Sequence, residues 1–203
     1  VSDAAIRQGV RHLARVEPRL APVISQHGDP PLARSRNHFD SLARAIVYQQ
    51  LSGHVAGRIL ERLRTLEPGR PFPSPTALLA SSADALRAAG LSRQKTAALR
   101  DLATHYADGR LSAERLRGLD DGRIAELLLA VRGVGPWTVD MFLIFALNRL
   151  DVLPTGDLGI RKGFREIFGL SALPDVESME GLSRPWRPYR SLASWYLWRV
   201  ADA

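Results

Sequence analysis

Apolar positions return at helical spacing along most of the chain. Phe39, Leu42, Ala43, Ile46, Val47 and Gln50 fall at i, i+3, i+4, i+7, i+8 and i+11 with polar residues between, which predicts a helix over about 39–51. Val55, Ile59, Leu63 and Leu66 repeat the stripe and stop at Pro68-Gly69. The next stretch, 67–75, holds four prolines and cannot be helical, because each removes a donor and restricts its neighbour. Short helices follow at about 75–80, 82–89 and 93–107, with Gly90 and Asp108-Gly109 marking the last two ends. Another runs over 121–131, breaks at Gly133-Val134-Gly135, and a new one starts at Pro136 and lasts to about 148. Further helices are expected after Asp157 and over about 188–200. Strand signals are scarce, and there is no internal repeat. The expected class is all-α. Residues 38–149 read as a central bundle ending in two helices joined by a hairpin (about 121–148). The ends, 1–37 and 150–203, look too small for separate cores and are expected to form one second lobe.

Composition narrows the function classes. The 203 residues carry 28 Lys+Arg against 21 Asp+Glu, a net charge of +7, which favours an anionic partner such as nucleic acid. That signal is modest, since only Lys95 and Lys162 are lysines and an arginine-rich chain would also come from a GC-rich genome. The absence of cysteine excludes disulfides, thiolate zinc sites, cysteine-ligated clusters and a cysteine nucleophile. His12, His27, His38, His54 and His105 show no ligand spacing, so no transition-metal site is expected. The apolar run Met141–Leu147 is far short of the roughly 20 residues of a membrane span. The first residues lack the basic-then-apolar pattern of a signal peptide, so the expectation is a cytoplasmic protein without membrane contact.

The most informative stretch is Leu127-Leu128-Leu129-Ala130-Val131-Arg132-Gly133-Val134-Gly135-Pro136-Trp137-Thr138-Val139-Asp140. Gly133 and Gly135 permit positive φ and close backbone approach, and Pro136 suits the first helical position. The amides of Val134, Gly135, Trp137 and Thr138 are then expected to face solvent at the positive end of a helix dipole, which suits a phosphate. A bare Gly-x-Gly also serves as a tight turn between packed helices, and spacing alone does not separate the two. Farther on, Asp157 stands where a helix begins. Its plain role is an N-cap worth ~1 kcal/mol. Such a carboxylate, held by backbone donors, could also stabilise positive charge at a sugar C1′ as a glycosidic bond breaks, or orient water.

The hairpin with Gly-Val-Gly-Pro-Trp-Thr, the Leu153-Pro154-x-x-Asp157-Leu158-Gly159 stretch and Tyr48-Gln49-Gln50-Leu51-Ser52 together resemble the helix-hairpin-helix DNA glycosylase superfamily. The similarity runs over about 38–198 and is strongest to the alkylated-base, 3-methyladenine glycosylase II type. The resemblance implies two helical lobes with a DNA and active-site cleft between them. It makes Asp157 the catalytic carboxylate. Arg132, Gly133, Val134, Gly135, Trp137 and Thr138 become the phosphate-gripping hairpin. The carbonyls of Leu129, Val131 and Val134 become candidates for a structural Na+ or K+, with no cofactor required for reaction. Members that also cut the strand carry a lysine where this chain has Trp137, so lyase activity is expected to be absent. Trp137, Trp195 and Tyr48 match pocket aromatics, with Trp195 expected near the carboxylate and Trp198 in the core.

Met141 and Phe142 suit pocket wall and core equally. Gln49, Gln50 and Leu51 fall in the segment that enters DNA at the flipped base, and which of Gln50 and Leu51 fills the gap is open. Arg132, Arg161, Lys162 and Arg165 could touch phosphates or simply be solvated. The larger bacterial members carry a β-rich domain ahead of this core, where this chain offers about 37 residues.

The expected function is therefore a monofunctional glycosylase releasing alkylated purines from duplex DNA, and its single DNA-binding face suggests a monomer. A non-catalytic DNA-binding module would need only the hairpin and the charge. Hydrolysis of a small nucleoside would usually need two opposed carboxylates, and no partner for Asp157 is evident.

Overall fold

The computed structural model describes residues 2–32, 35 and 37–202. All regular elements among them are helical. Besides short 3-10 turns at Pro18–Leu20 and Arg184–Trp186, they are α1 (Asp3–Val16), α2 (Ala21–His27), α3 (His38–Tyr48), α4 (Gly53–Arg64), α5 (Pro75–Ala80), α6 (Ala83–Ala88) and α7 (Arg93–Ala107). Then come α8 (Ala113–Leu116), α9 (Asp121–Leu129), α10 (Pro136–Phe145), α11 (Leu158–Phe168), α12 (Val176–Leu182) and α13 (Arg190–Ala201). The all-α class holds.

Helix starts are fixed by side-chain caps. Asn37, Ser52, Ser74, Ser82, Ser92, Asp120 and Asp157 each accept from an amide of the first turn of the helix they precede. Several ends fall earlier than periodicity predicts. α10 stops at Phe145 rather than about 148, because Asn148 turns left-handed (φ 54°) and the Arg149 amide reaches back to the Leu143 carbonyl at 2.9 Å. Both α8 and α12 went unread in the sequence, being only 4 and 7 residues long.

The chain divides into two compact units, 35–142 and 1–34 with 143–203. The later boundary lies inside α10, ahead of the expected break at 149/150. In unit 35–142, α7 packs on α3 and α5. Its core includes Leu42, Ile46, Leu63, Leu78, Leu86, Leu99 and Leu102, all fully buried. The Phe39 ring meets Phe72 at 6.2 Å and Tyr106 at 5.1 Å, both edge-on. Each such side chain contributes about 1.5–3 kcal/mol by leaving water.

In the other unit, α13 is the central element. Gly163 of α11 lies so close that an added Cβ would stand 2.5 Å from the Leu197 carbonyl oxygen. Trp186 is fully buried and stacks on Phe164 at 5.1 Å. The first turn of α13 also secures the loop that follows α10. Ser191 Oγ donates to the Arg149 carbonyl (2.6 Å) and accepts from the Val152 amide (2.9 Å). Buried Arg190 donates to both carboxylate oxygens of Asp151, at 2.7 and 3.1 Å. That anchored loop leads through Pro154, whose carbonyl accepts from the Asp157 amide, to the start of α11.

Candidate functional site

Within unit 35–142 the hairpin joins α9 to α10. Gly133 adopts φ +75°, and a Cβ there would stand 2.8 Å from the Ala98 Cβ of α7. Its glycine identity is therefore demanded by the chain's own packing as well as by the turn. Gly135 differs: nothing lies within 4 Å of where its Cβ would be, so another molecule has open access to that backbone. Two of the expected solvent-facing amides are not so placed. The Val134 amide donates to the Val131 carbonyl at 3.1 Å, because the turn closes on itself. Thr138 is 1 % exposed, its hydroxyl accepting from Gln49 Nε2 at 2.9 Å. The hairpin's open backbone is thus narrower than spacing implied, with Gly135 as the position that another molecule can approach freely.

A neutral set of carbonyl oxygens suits a monovalent cation better than a divalent one. Of the three carbonyls named for that role, Val131's already accepts one hydrogen bond and Leu129 belongs to a residue 46 % exposed. Leu129, Val131 and Val134 are the residues that would hold such an ion through their backbone carbonyls. Among the described residues no group of three or more His, Asp or Glu is disposed to bind a metal.

The hairpin is braced from two sides that the sequence did not announce. Asp101 Oδ2 of α7 accepts from the Arg132 amide at 2.8 Å. Gln49, just past α3, donates from Nε2 to the Gly133 carbonyl at 2.9 Å as well as to Thr138. Gln49 is therefore a brace for the hairpin rather than an outward contact. Beside it, Tyr48 is 39 % exposed and Gln50 is exposed with a left-handed φ of 56°. Lys95 of α7 donates to the carbonyls of Val47 (2.5 Å) and Gln49 (2.7 Å), and burial pulls its amine below the ordinary range.

On α10, Trp137 and Met141 are half-buried, one turn apart on one face. Phe142 is not a pocket residue: it is 2 % exposed, and its ring meets His38 edge-on at 5.5 Å in the core.

In the other unit, Asp157 caps α11. Its Oδ1 accepts from the Ile160 amide at 2.9 Å and from the indole Nε1 of Trp198 at 2.9 Å. The expected companion, Trp195, is elsewhere. Its ring meets His27 at 6.2 Å and Tyr196 at 5.2 Å and lies under the Arg199 guanidinium at 4.8 Å. Trp198, one turn on and expected in the core, is the half-buried ring that meets the carboxylate. It stacks on Phe145 at 5.7 Å, and Phe145 itself is 42 % exposed. Gly159 makes the contact possible, since a Cβ there would stand 2.8 Å from Trp198 Cδ1 and 3.0 Å from Asp157 Oδ1. Phe145 and Gly159 were missed, although Phe145 continues the 137, 141 spacing and Gly159 sits in the quoted Asp-Leu-Gly.

Of the flanking cations, Arg161 donates to the Pro174 carbonyl at 3.1 Å and Arg165 pairs with Glu166 at 2.6 Å, while Arg132 and Lys162 are exposed. What the unit of 1–34 with 143–203 offers is a fixed carboxylate oxygen next to exposed aromatic surface. What unit 35–142 offers is a backbone turn open to a phosphate.

Residues 43–188 match the HhH-GPD superfamily base excision DNA repair protein family. The alkylbase DNA glycosidase-like protein mag2 of Schizosaccharomyces pombe is 28 % identical over 202 residues, covering 98 % of this chain and 95 % of its own. DNA-3-methyladenine glycosylase 1 of the same yeast is 31 % identical over 184 residues, 90 % of this chain and 81 % of its own. The solved S. pombe 3-methyladenine DNA glycosylase Mag1, in complex with abasic DNA, superposes with a TM-score of 0.89 at 30 % identity over 97 % of both chains. With 43–188 matched to the family, a yeast relative 31 % identical over most of both chains and a solved relative superposing at a TM-score of 0.89, this chain belongs to the HhH-GPD superfamily of base excision DNA repair proteins.

Proposed function

We propose that this protein is a monofunctional DNA glycosylase that extrudes alkylated purines of the 3-methyladenine type from duplex DNA and hydrolyses their N-glycosidic bond. The observation that carries the reading is Asp157, whose Oδ1 is fixed by a helix-start amide and the Trp198 indole beside the exposed face of Phe145. The names of the yeast relatives point to the same substrate class.

A base inside a duplex presents no open path to C1′, so the nucleotide must swing out, at a cost of a few kcal/mol that is lower for a damaged base. An N-alkylated purine carries positive charge while attached. When the C1′–N bond breaks, its electron pair leaves with the base, which departs neutral and needs no general acid. Positive charge develops at C1′, and a carboxylate held in place stabilises it without reorganising. Water then forms the new C1′–O bond and loses its proton to solvent through the same carboxylate. Electron-rich rings such as Trp198 and Phe145 suit a cationic base, each contact contributing ~0.5–2 kcal/mol.

Strand cleavage through a Schiff base would need a free amine. Of the two lysines, Lys95 is committed to two carbonyls and Lys162 is exposed on α11. Incubation with methylated duplex DNA should release free 3-methyladenine, detected by mass spectrometry, and leave strands intact until alkali is added. Duplex binding without base release would make the protein a binding module. Cutting without alkali, trapped by borohydride, would make it a lyase.

A further inference from the structure

The chain after α3 makes a turn in which the Leu51 amide donates to the Tyr48 carbonyl at 3.1 Å. Gln49 sits at φ −49°, ψ 126° and Gln50 at φ 56°. Those are the two central positions of a type II turn, whose second normally requires glycine. Gln50 occupies it at a cost of roughly 1–2 kcal/mol. Its exposed side chain accordingly has a use that glycine could not serve, and the surroundings must hold it against relaxation.

What holds it is a lysine. A helix end leaves carbonyls without amide partners. At the end of α3 the Val47 and Gln49 carbonyls converge on Lys95 Nζ at 2.5 and 2.7 Å. The ammonium also stands at the negative end of the α3 dipole. Gln49, whose carbonyl it binds, is tied by its own amide to Gly133 and Thr138 of the hairpin. The turn that displays Gln50 is thus locked from α7 on one side and to the hairpin on the other, within a single unit.

We propose that Lys95 is a positioning residue that fixes the strained turn and so holds Gln50 ready for the gap-filling role that the resemblance implies for residues 49–51. The inference rests on the glycosylase reading for its setting. Gln50 enters a gap only where an opposing strand surrounds one, so the sensitive quantity is the ratio of excision from duplex to excision from single-stranded alkylated DNA.

Lys95→Met leaves two carbonyls without their donor and is expected to lower that ratio about tenfold. Gln50→Gly should lower it equally, Lys95→Arg should restore most of it, and the double variant should be no worse than either single one. Equal loss on both substrates, additive losses, or an unchanged ratio would overturn the inference. If Lys95→Met does not fold, Lys95→Gln takes its place in the same cycle. If the wild type releases no base at all, the glycosylase reading fails. The cycle is then read from 2-aminopurine fluorescence beside a tetrahydrofuran abasic analogue in bound duplex. A signal lowered alike by Lys95→Met and Gln50→Gly supports the positioning role, and one moved by neither contradicts it.

Discussion

At the scale of the residue, the proposed chemistry turns on the close approach of Asp157, Gly159 and Trp198. Gly159→Ala tests that closeness, because its Cβ would overlap Trp198 Cδ1 at 2.8 Å and press Asp157 Oδ1 at 3.0 Å. Alanine is the better helix former by about 1 kcal/mol, so the variant should keep its thermal stability to within a few degrees. Displacing the carboxylate by ångström-scale amounts should nonetheless slow base release about 100-fold. A variant that melts normally and cleaves normally would show that the close contact is incidental. Asp157 was legible because capping aspartates announce themselves by position, and the hairpin because glycine and proline act locally. Trp198 was not. Arg190, Ser191, Leu192, Ala193 and Ser194 are all buried, so α13 has no polar face from which its rotation could be read. Phe142 stayed open between pocket and core for the same reason on α10, an element apolar nearly all round.

At the scale of the element, helix starts are set by capping side chains and ends by turns, and one helix carries a cost. Asp40, in the first turn of α3, is buried with Oδ1 lacking a hydrogen-bond partner. Desolvation raises its carboxyl above the ordinary 3.8, and Arg44 and Arg70 offset this only in part. A carboxyl raised in the folded state contributes stability while protonated and loses it as pH rises through the folded value. Asp40→Asn mimics the protonated form at every pH. It should therefore melt higher than wild type at neutral pH, with the gap closing as pH falls below the ordinary carboxylate value. A gap independent of pH, in paired melting curves, would contradict the assignment.

The braces on the hairpin belong to this scale too. Asp101 and Lys95 lie 31 and 46 residues from the backbone groups they bind, Arg132 and Gln49. No local pattern signals contacts of that separation, whereas the helices carrying them were readable from periodicity alone.

At the scale of the whole molecule, the residues of the proposed function divide between the two units. The backbone turn and the Gln50 display belong to 35–142, and the carboxylate with its aromatic neighbours belongs to the unit formed from both ends of the chain. A net charge of +7 gives both a common bias toward a polyanion, and binding should weaken with salt as condensed counterions are released. Binding and bond cleavage are therefore separable. Asp157→Asn keeps the capping oxygen but removes the negative charge. In single-turnover assays on duplex DNA containing 3-methyladenine, it should release free base at least about 100-fold more slowly than wild type while binding the duplex with similar affinity. Release at the native rate would contradict the account.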